Sequence, residues 1–227
     1  NGPFTLFMSW NPPHSPYDEV PKKYKDIYKD KEITLRPNVP EGPFTAHTGE
    51  ELGGTREELI EKTKNYFAAI TGIDDNFGRL MKYLKEQGLD ENTIVVLSAD
   101  HGDLMGSHGM MAKHVWYEES VGIPFIIRWP EHIKPDRDKT TLVNSVDVMP
   151  TLLGLMDVDI PKEVEGTDLS KTALGEDVEV PEVAFLAGYP GRDVFLEVFE
   201  KAGTHPTTKG WRVARTDRYS YVIHTGY

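Results

Sequence analysis

Apolar residues crowd positions 3–10, PFTLFMSW, and that density predicts a short buried strand. The run breaks at Asn11-Pro12-Pro13-His14-Ser15-Pro16-Tyr17, where three prolines hold an extended loop and remove backbone donors. Residues 18–54 scatter single apolar positions among Pro, Gly and charge, with no period, and predict a surface loop excursion. Thr55 opens the clearest pattern of the chain. Leu59, Tyr66, Phe67, Ile70, Ile73, Phe77, Leu80, Met81 and Leu84 recur at helical spacing, the signature of a helix packed on a sheet. Thr55 with Glu58 fits a capping box, and Gly88 supplies a C-terminal stop.

Beyond that helix the period changes. Residues 93–98, TIVVLS, form a continuous β-branched run of the kind found in central strands covered on both faces. PFIIRW, 124–129, predicts another strand. Residues 145–156 predict a helix that tolerates Pro150 only in its first turn. Alternation of strands and helices is the pattern of an α/β sheet. From about residue 181 the texture shifts to short antiparallel strands: VAFLAG, WRVART (211–216) and YSYVIH (219–224), the last two joined across Asp217-Arg218. The chain therefore divides into an α/β core, 1–180, and a small antiparallel sheet subdomain, 181–227.

Composition narrows what such a fold can do. With 227 residues, 38% hydrophobic and 27% charged, the chain has ample material for a core. A net charge of −12 argues against nucleic acid, whose binding depends on Lys and Arg neutralising phosphates. It does not exclude a small anion, because a metal or a few local cations can dominate one pocket. No apolar run approaches the roughly 18 residues of a membrane-spanning helix. The absence of cysteine removes disulfides, thiolate metal sites and Cys nucleophiles. No Asn-x-Ser/Thr sequon is present, so nothing hints at a glycosylated secreted protein. A first strand without leader or initiator Met gives the impression of a piece of a longer protein.

Candidate chemistry concentrates where the 93–98 strand gives way to a loop. Asp100 and His101 stand at its carboxyl end, where the pleat breaks and both side chains can turn toward one crevice. A carboxylate beside an imidazole suits a divalent cation, with Ca²⁺, Mg²⁺ or Mn²⁺ favoured by the oxygen donor. The alternative is that Asp100 caps the following turn and His101 is an ordinary polar residue. Lys113 follows closely; it pairs with Glu118 or Glu119 on the plain reading, or neutralises charge on a leaving oxygen near a metal. His14 is held in its Pro-rich loop, as a site residue or a surface histidine. His108, between Ser107 and Gly109, either touches a substrate or shapes its loop. His47, His132, His205 and His224 carry no assigned role.

Taken in order, NPPHSPY (11–17), NTIVVLSADHGDLMGSHG (92–109), K-x₃-YEES-x₂-IPFIIRWP (113–130), SVDVMPTLLGLMDV (145–158) and WRVARTDRYSYV (211–222) resemble the carboxyl-terminal half of a sulfatase, within the alkaline-phosphatase-like superfamily. The resemblance implies a partial alkaline-phosphatase-like mixed sheet flanked by helices, followed by the C-terminal sheet. It makes Asp100 and His101 two ligands of one divalent metal, Ca²⁺ before Mg²⁺ or Mn²⁺. Lys113 becomes the lysine that contacts the sulfate and its bridging oxygen. His14 becomes the histidine that donates to the ester oxygen, and His108 falls near the pocket. The implied substrate is a sulfated small molecule or glycan, and the implied location periplasmic or extracellular. Residues 18–54 and 188–210 are candidates for the rim.

The chain departs from that pattern in lacking any C/S-x-P-x-R motif, so the formylglycine nucleophile and two further metal ligands are missing. The fragment is therefore expected to be inactive alone; with the strands that cover its apolar edges and faces missing, it is expected to have a tight partner such as its amino-terminal half, to form a homodimer, or to be poorly soluble. The Asp-His pair also occurs in relatives that cleave phosphonate monoesters and phosphodiesters, which keeps that activity, and a non-catalytic binding module, as alternatives.

Overall fold

The computed structural model describes residues 2–47, 49–138, 140–188 and 210–224. Their contacts fall into two compact units: Asn1–Asp90 with Leu104–Ala112, and Glu91–Asp103 with Lys113–Tyr227.

The first unit is organised by the long helix. Helix α1 is Lys22–Tyr28, the short strands β1 and β2 are Phe44–Thr45 and Glu51–Gly53, and helix α2 is Arg56–Glu86. The start of α2 is set by local chemistry. The Glu58 N–H donates to the Thr55 hydroxyl at 3.3 Å, and the Thr55 N–H donates back to the Glu58 carboxylate at 3.0 Å. At the other end Gly88 takes φ +65° and the Leu89 N–H closes on the Leu84 carbonyl at 2.9 Å. The helix stripe is only partly covered. Leu59, Ala68 and Leu84 are buried, while Phe67 and Ile70 remain exposed.

Two expectations are corrected in this unit. Residues 18–54 are not a surface excursion, because Leu35, Val39 and Phe44 join Leu59, Met105 and Met111 in the unit's core. Apolar residues set singly between prolines and charges have no period, so each plugs the core from a turn and leaves no pattern. The segment also contains α1, whose Tyr24 donates to the Asp75 carboxylate at 2.9 Å and lies against Gly72 of α2, where a Cβ would come within 3.0 Å of the ring. The second correction concerns residues 3–10, which adopt no strand. Phe4, Leu6, Phe7 and Met8 are exposed. A strand exists only through its ladder, and among the described residues none is paired with this segment.

In the second unit, β3 (Val95–Ser98) pairs antiparallel with β4 (Phe125–Arg128), in a register running from Val95↔Arg128 to Ser98↔Phe125. Both strands fall where the apolar runs predict them. The expected cover on both faces of β3 is absent among the described residues: its residues are half-buried or exposed, the pair forms a two-stranded ribbon, and Ile126 opposite is exposed. Helix α3 is Glu118–Val121. A 3₁₀ turn at Ser145–Asp147 leads into helix α4, Val148–Leu155, with Pro150 buried in the first turn, where a missing N–H is harmless. Buried Asp147 accepts from the Asn144 and Thr167 N–H groups, both at 2.7 Å, tying α4 to the segment before helix α5, Ser170–Ala173.

The C-terminal strands are β5 (Ala184–Gly188), β6 (Trp211–Arg215) and β7 (Ser220–His224). They form an antiparallel sheet in the order β5-β6-β7. Its alternation is clean, with Trp211 and Val213 each 5% exposed. This is the α/β architecture with a small C-terminal antiparallel sheet that the sequence predicts. Most of the proposed 188–210 rim, and His205, lie outside the described residues.

Candidate functional site

The end of β3 is pinned before the chain turns. The Ser98 hydroxyl donates to the Pro124 carbonyl, beside β4, at 2.9 Å. Two residues on, the Asp100 carboxylate accepts from the His101 N–H at 3.0 Å. The His101 Nδ1 lies 2.7 Å from the Gly102 carbonyl. A carbonyl only accepts, so Nδ1 carries a proton, and Nε2 is the ring nitrogen that can offer a lone pair to a cation. That Nε2 stands 3.6 Å from Asp100 Oδ2. Two donors bound at about 2.4 Å and a right angle to one ion lie about 3.4 Å apart, so the pair has the bite of a chelate.

Gly102 makes this turn possible. Its N–H donates to the Ser120 carbonyl at 2.8 Å, and a Cβ there would fall 2.2 Å from the Glu119 carbonyl oxygen. Only a glycine lets the chain pass so close to the α3 turn. Asp100 itself is open, with its side chain 88% exposed against 28% for His101. Two donors fit a hard divalent cation as part of a shell of roughly six to eight ligands. Among the described residues no cluster of three or more His, Asp or Glu could hold one.

Lys113 belongs to the same unit and is half-buried. It stands between two non-glycine residues in the left-handed region, Ala112 at φ +65° and His114 at φ +80°. Such conformations persist only where surrounding contacts hold them, and they gather at functional sites. The indole N–H of Trp211 donates to the His114 carbonyl at 3.0 Å. Glu118, offered as a partner for Lys113, is ion-paired with Arg215.

His14 and His108 belong to the first unit. The His14 Nδ1 donates to the Ser15 carbonyl at 2.8 Å, and its N–H donates to the Asn11 carbonyl at 3.0 Å. The ring lines a cavity of about 110 Å³ with Tyr17, Glu19, Asn65 and Tyr66. His108, at φ +58°, is gripped by Asn38. Its N–H donates to the Asn38 carbonyl at 3.0 Å, and its Nε2 lies 3.2 Å from the Asn38 side-chain amide. Sequence reasoning missed Gly102 and Trp211. The glycine following Asp-His could have been read as a close approach, whereas nothing local marks Trp211, 97 residues from its partner.

A sulfatase family model matches residues 1–158, and a model described as N-sulphoglucosamine sulphohydrolase, C-terminal, matches residues 106–225. The ulvan-active sulfatase of Formosa agariphila is 36% identical over 98% of this chain, and the alignment spans 40% of that protein. The crystal structure of yidJ from Bacteroides fragilis superposes with a TM-score of 0.75 at 35% identity, covering 94% of this chain and 42% of the other. BT4656, solved in complex with its substrate D-glucosamine-2-N,6-O-disulfate, gives a TM-score of 0.62 at 27% identity, over 73% of this chain and 32% of its own. The chain thus spans about 40% of the length of the ulvan-active relative. Matched by the family model over 158 residues, this chain belongs to the sulfatase family.

Proposed function

We propose that this chain is the carboxyl-terminal part of an enzyme that hydrolyses sulfate esters of a glycan, divided at about residue 180 into core and C-terminal subdomain. Sulfatases generally use a divalent metal. In this reading it is Ca²⁺, held by Asp100 and His101 with ligands from a part of the protein this chain does not span. Such a cation, when bound there, would withdraw charge from the sulfuryl oxygens. Lys113 places its ammonium at the bridging oxygen, where negative charge grows as the ester bond breaks. His14 enters this step as the imidazolium: Nδ1 keeps its proton on the Ser15 carbonyl, Nε2 gives its own to the leaving alcohol, and the ring is left neutral. His108 borders the substrate. The nucleophile, a formylglycine in the resemblance, is supplied outside these residues.

The observation that carries this reading is the Asp100–His101 pair, with the tautomer held by Gly102 and the two donor atoms 3.6 Å apart. A glycan substrate is supported by the relatives named ulvan-active and by BT4656 with its disulfated glucosamine. The test is turnover by the intact protein of a sulfated saccharide beside a phosphonate monoester. Lys113→Ala and His14→Ala are expected to lower kcat by about 100-fold or more, and Asp100→Ala to lower Ca²⁺ affinity by at least about tenfold. Preference for the phosphonate ester, or full activity in these variants, would overturn it.

A further inference from the structure

The segment that bears Lys113 is held from a distance. Trp211, at the start of β6 and 5% exposed, donates its indole N–H to the His114 carbonyl at 3.0 Å. Its ring also meets Trp116 edge-on at 6.3 Å. Four residues along the same strand, Arg215 is ion-paired with Glu118. Both links join residues 97 apart in sequence, so one end of β6 grips residue 114 and the other grips residue 118. Gly188 of β5 completes the arrangement. It pairs with Trp211 in the sheet, and a Cβ on it would lie 2.2 Å from the indole. The glycine leaves the room in which the indole lies.

The point of attachment matters. Ala112 and His114 hold the left-handed region on either side of the lysine, where a Cβ crowds its own backbone. A hydrogen bond to the His114 carbonyl opposes relaxation of that residue, and relaxation would swing the Lys113 side chain to a new direction. We propose that Trp211 and Arg215 are positioning residues: the C-terminal sheet is a two-point clamp that aims Lys113, an inference that rests on the role proposed for that lysine.

The test uses the intact protein and a sulfated saccharide. Trp211→Phe keeps an aromatic ring but loses the N–H donor, and Gly188→Ala pushes the indole aside without touching its chemistry. Each is expected to lower kcat by about tenfold, with KM changed less than about twofold. In a Lys113→Ala background the same changes should lower kcat less than about twofold, because no lysine remains to be misaimed. Val213→Ala, buried on the same strand, is the control and should not couple to Lys113. Equal losses with and without Lys113 would overturn the clamp and leave Trp211 a packing residue.

Hydrogen exchange at the amides of residues 113–118 judges the clamp independently of turnover. Trp211→Phe should accelerate exchange there by about tenfold relative to Val213→Ala of similar Tm. Unchanged protection would overturn it. Full turnover in Lys113→Ala would end the catalytic reading of that lysine, while the exchange result would still decide whether β6 holds the segment.

Discussion

Residues 2–10 and the C-terminal sheet start from the same kind of sequence and end in opposite conditions. Both are short, aromatic and apolar. In the sheet, Val213 lies between Leu186 and Val222 in register, and Trp211 and Val213 are each 5% exposed. In the N-terminal run, Phe7 is 90% exposed and Leu6 65%. The difference is neighbours. An apolar run states a need for burial, and in the C-terminal sheet the paired neighbours meet it. The β3–β4 ribbon lies between these extremes: half-buried for the most part, each strand paired along one edge and, among the described residues, along no other.

The largest test of this contrast concerns the whole molecule. At micromolar concentration the chain alone is expected to scatter light as a species heavier than its 25.6 kDa, because clustered apolar side chains and open strand edges associate. A monodisperse monomer would break the comparison. Next in size is Trp211→Ala, expected to destabilise by about 3–5 kcal/mol in denaturant titration through lost burial and an unfilled cavity. Gly102→Ala must move the α3 turn or its own loop, and should lower stability by about 1–3 kcal/mol in the same titration. Thr55→Ala removes half of the capping box and should lower stability by about 1 kcal/mol, read from thermal unfolding followed at the helix band. Smallest is Phe7→Ala, expected within about 0.5 kcal/mol in this chain. A loss as large as that of Trp211→Ala would show that Phe7 has found neighbours.

Much of the framework was legible because it is periodic or chemically punctuated. The limits of α2 follow from Thr55, Glu58 and Gly88, which act within their own turn. Pro150 marks the first turn of α4, since it fits nowhere else in a helix. The three C-terminal strands follow from alternation. Residues 18–54 were illegible for the opposite reason: Leu35, Val39 and Phe44 reach the core one at a time, so no window contains a pattern. Tyr24, Ile27 and Tyr28 did carry a faint helical spacing after Pro21, enough to have suggested α1. At the candidate site, the adjacency of Asp100 and His101 was visible in the sequence. The tautomer of His101 and the tie from Trp211 to His114 were not, because both depend on backbone carbonyls placed by the fold.

The bare N-terminal run also has a calorimetric consequence. Heat capacity rises on unfolding because apolar surface meets water for the first time. Phe4, Leu6, Phe7 and Met8 already meet it in the folded chain. Their share of that rise is therefore spent before melting begins. For the isolated chain, ΔCp per residue should fall below the roughly 12–15 cal/mol/K of ordinary domains, giving a flatter stability curve and shallower cold denaturation.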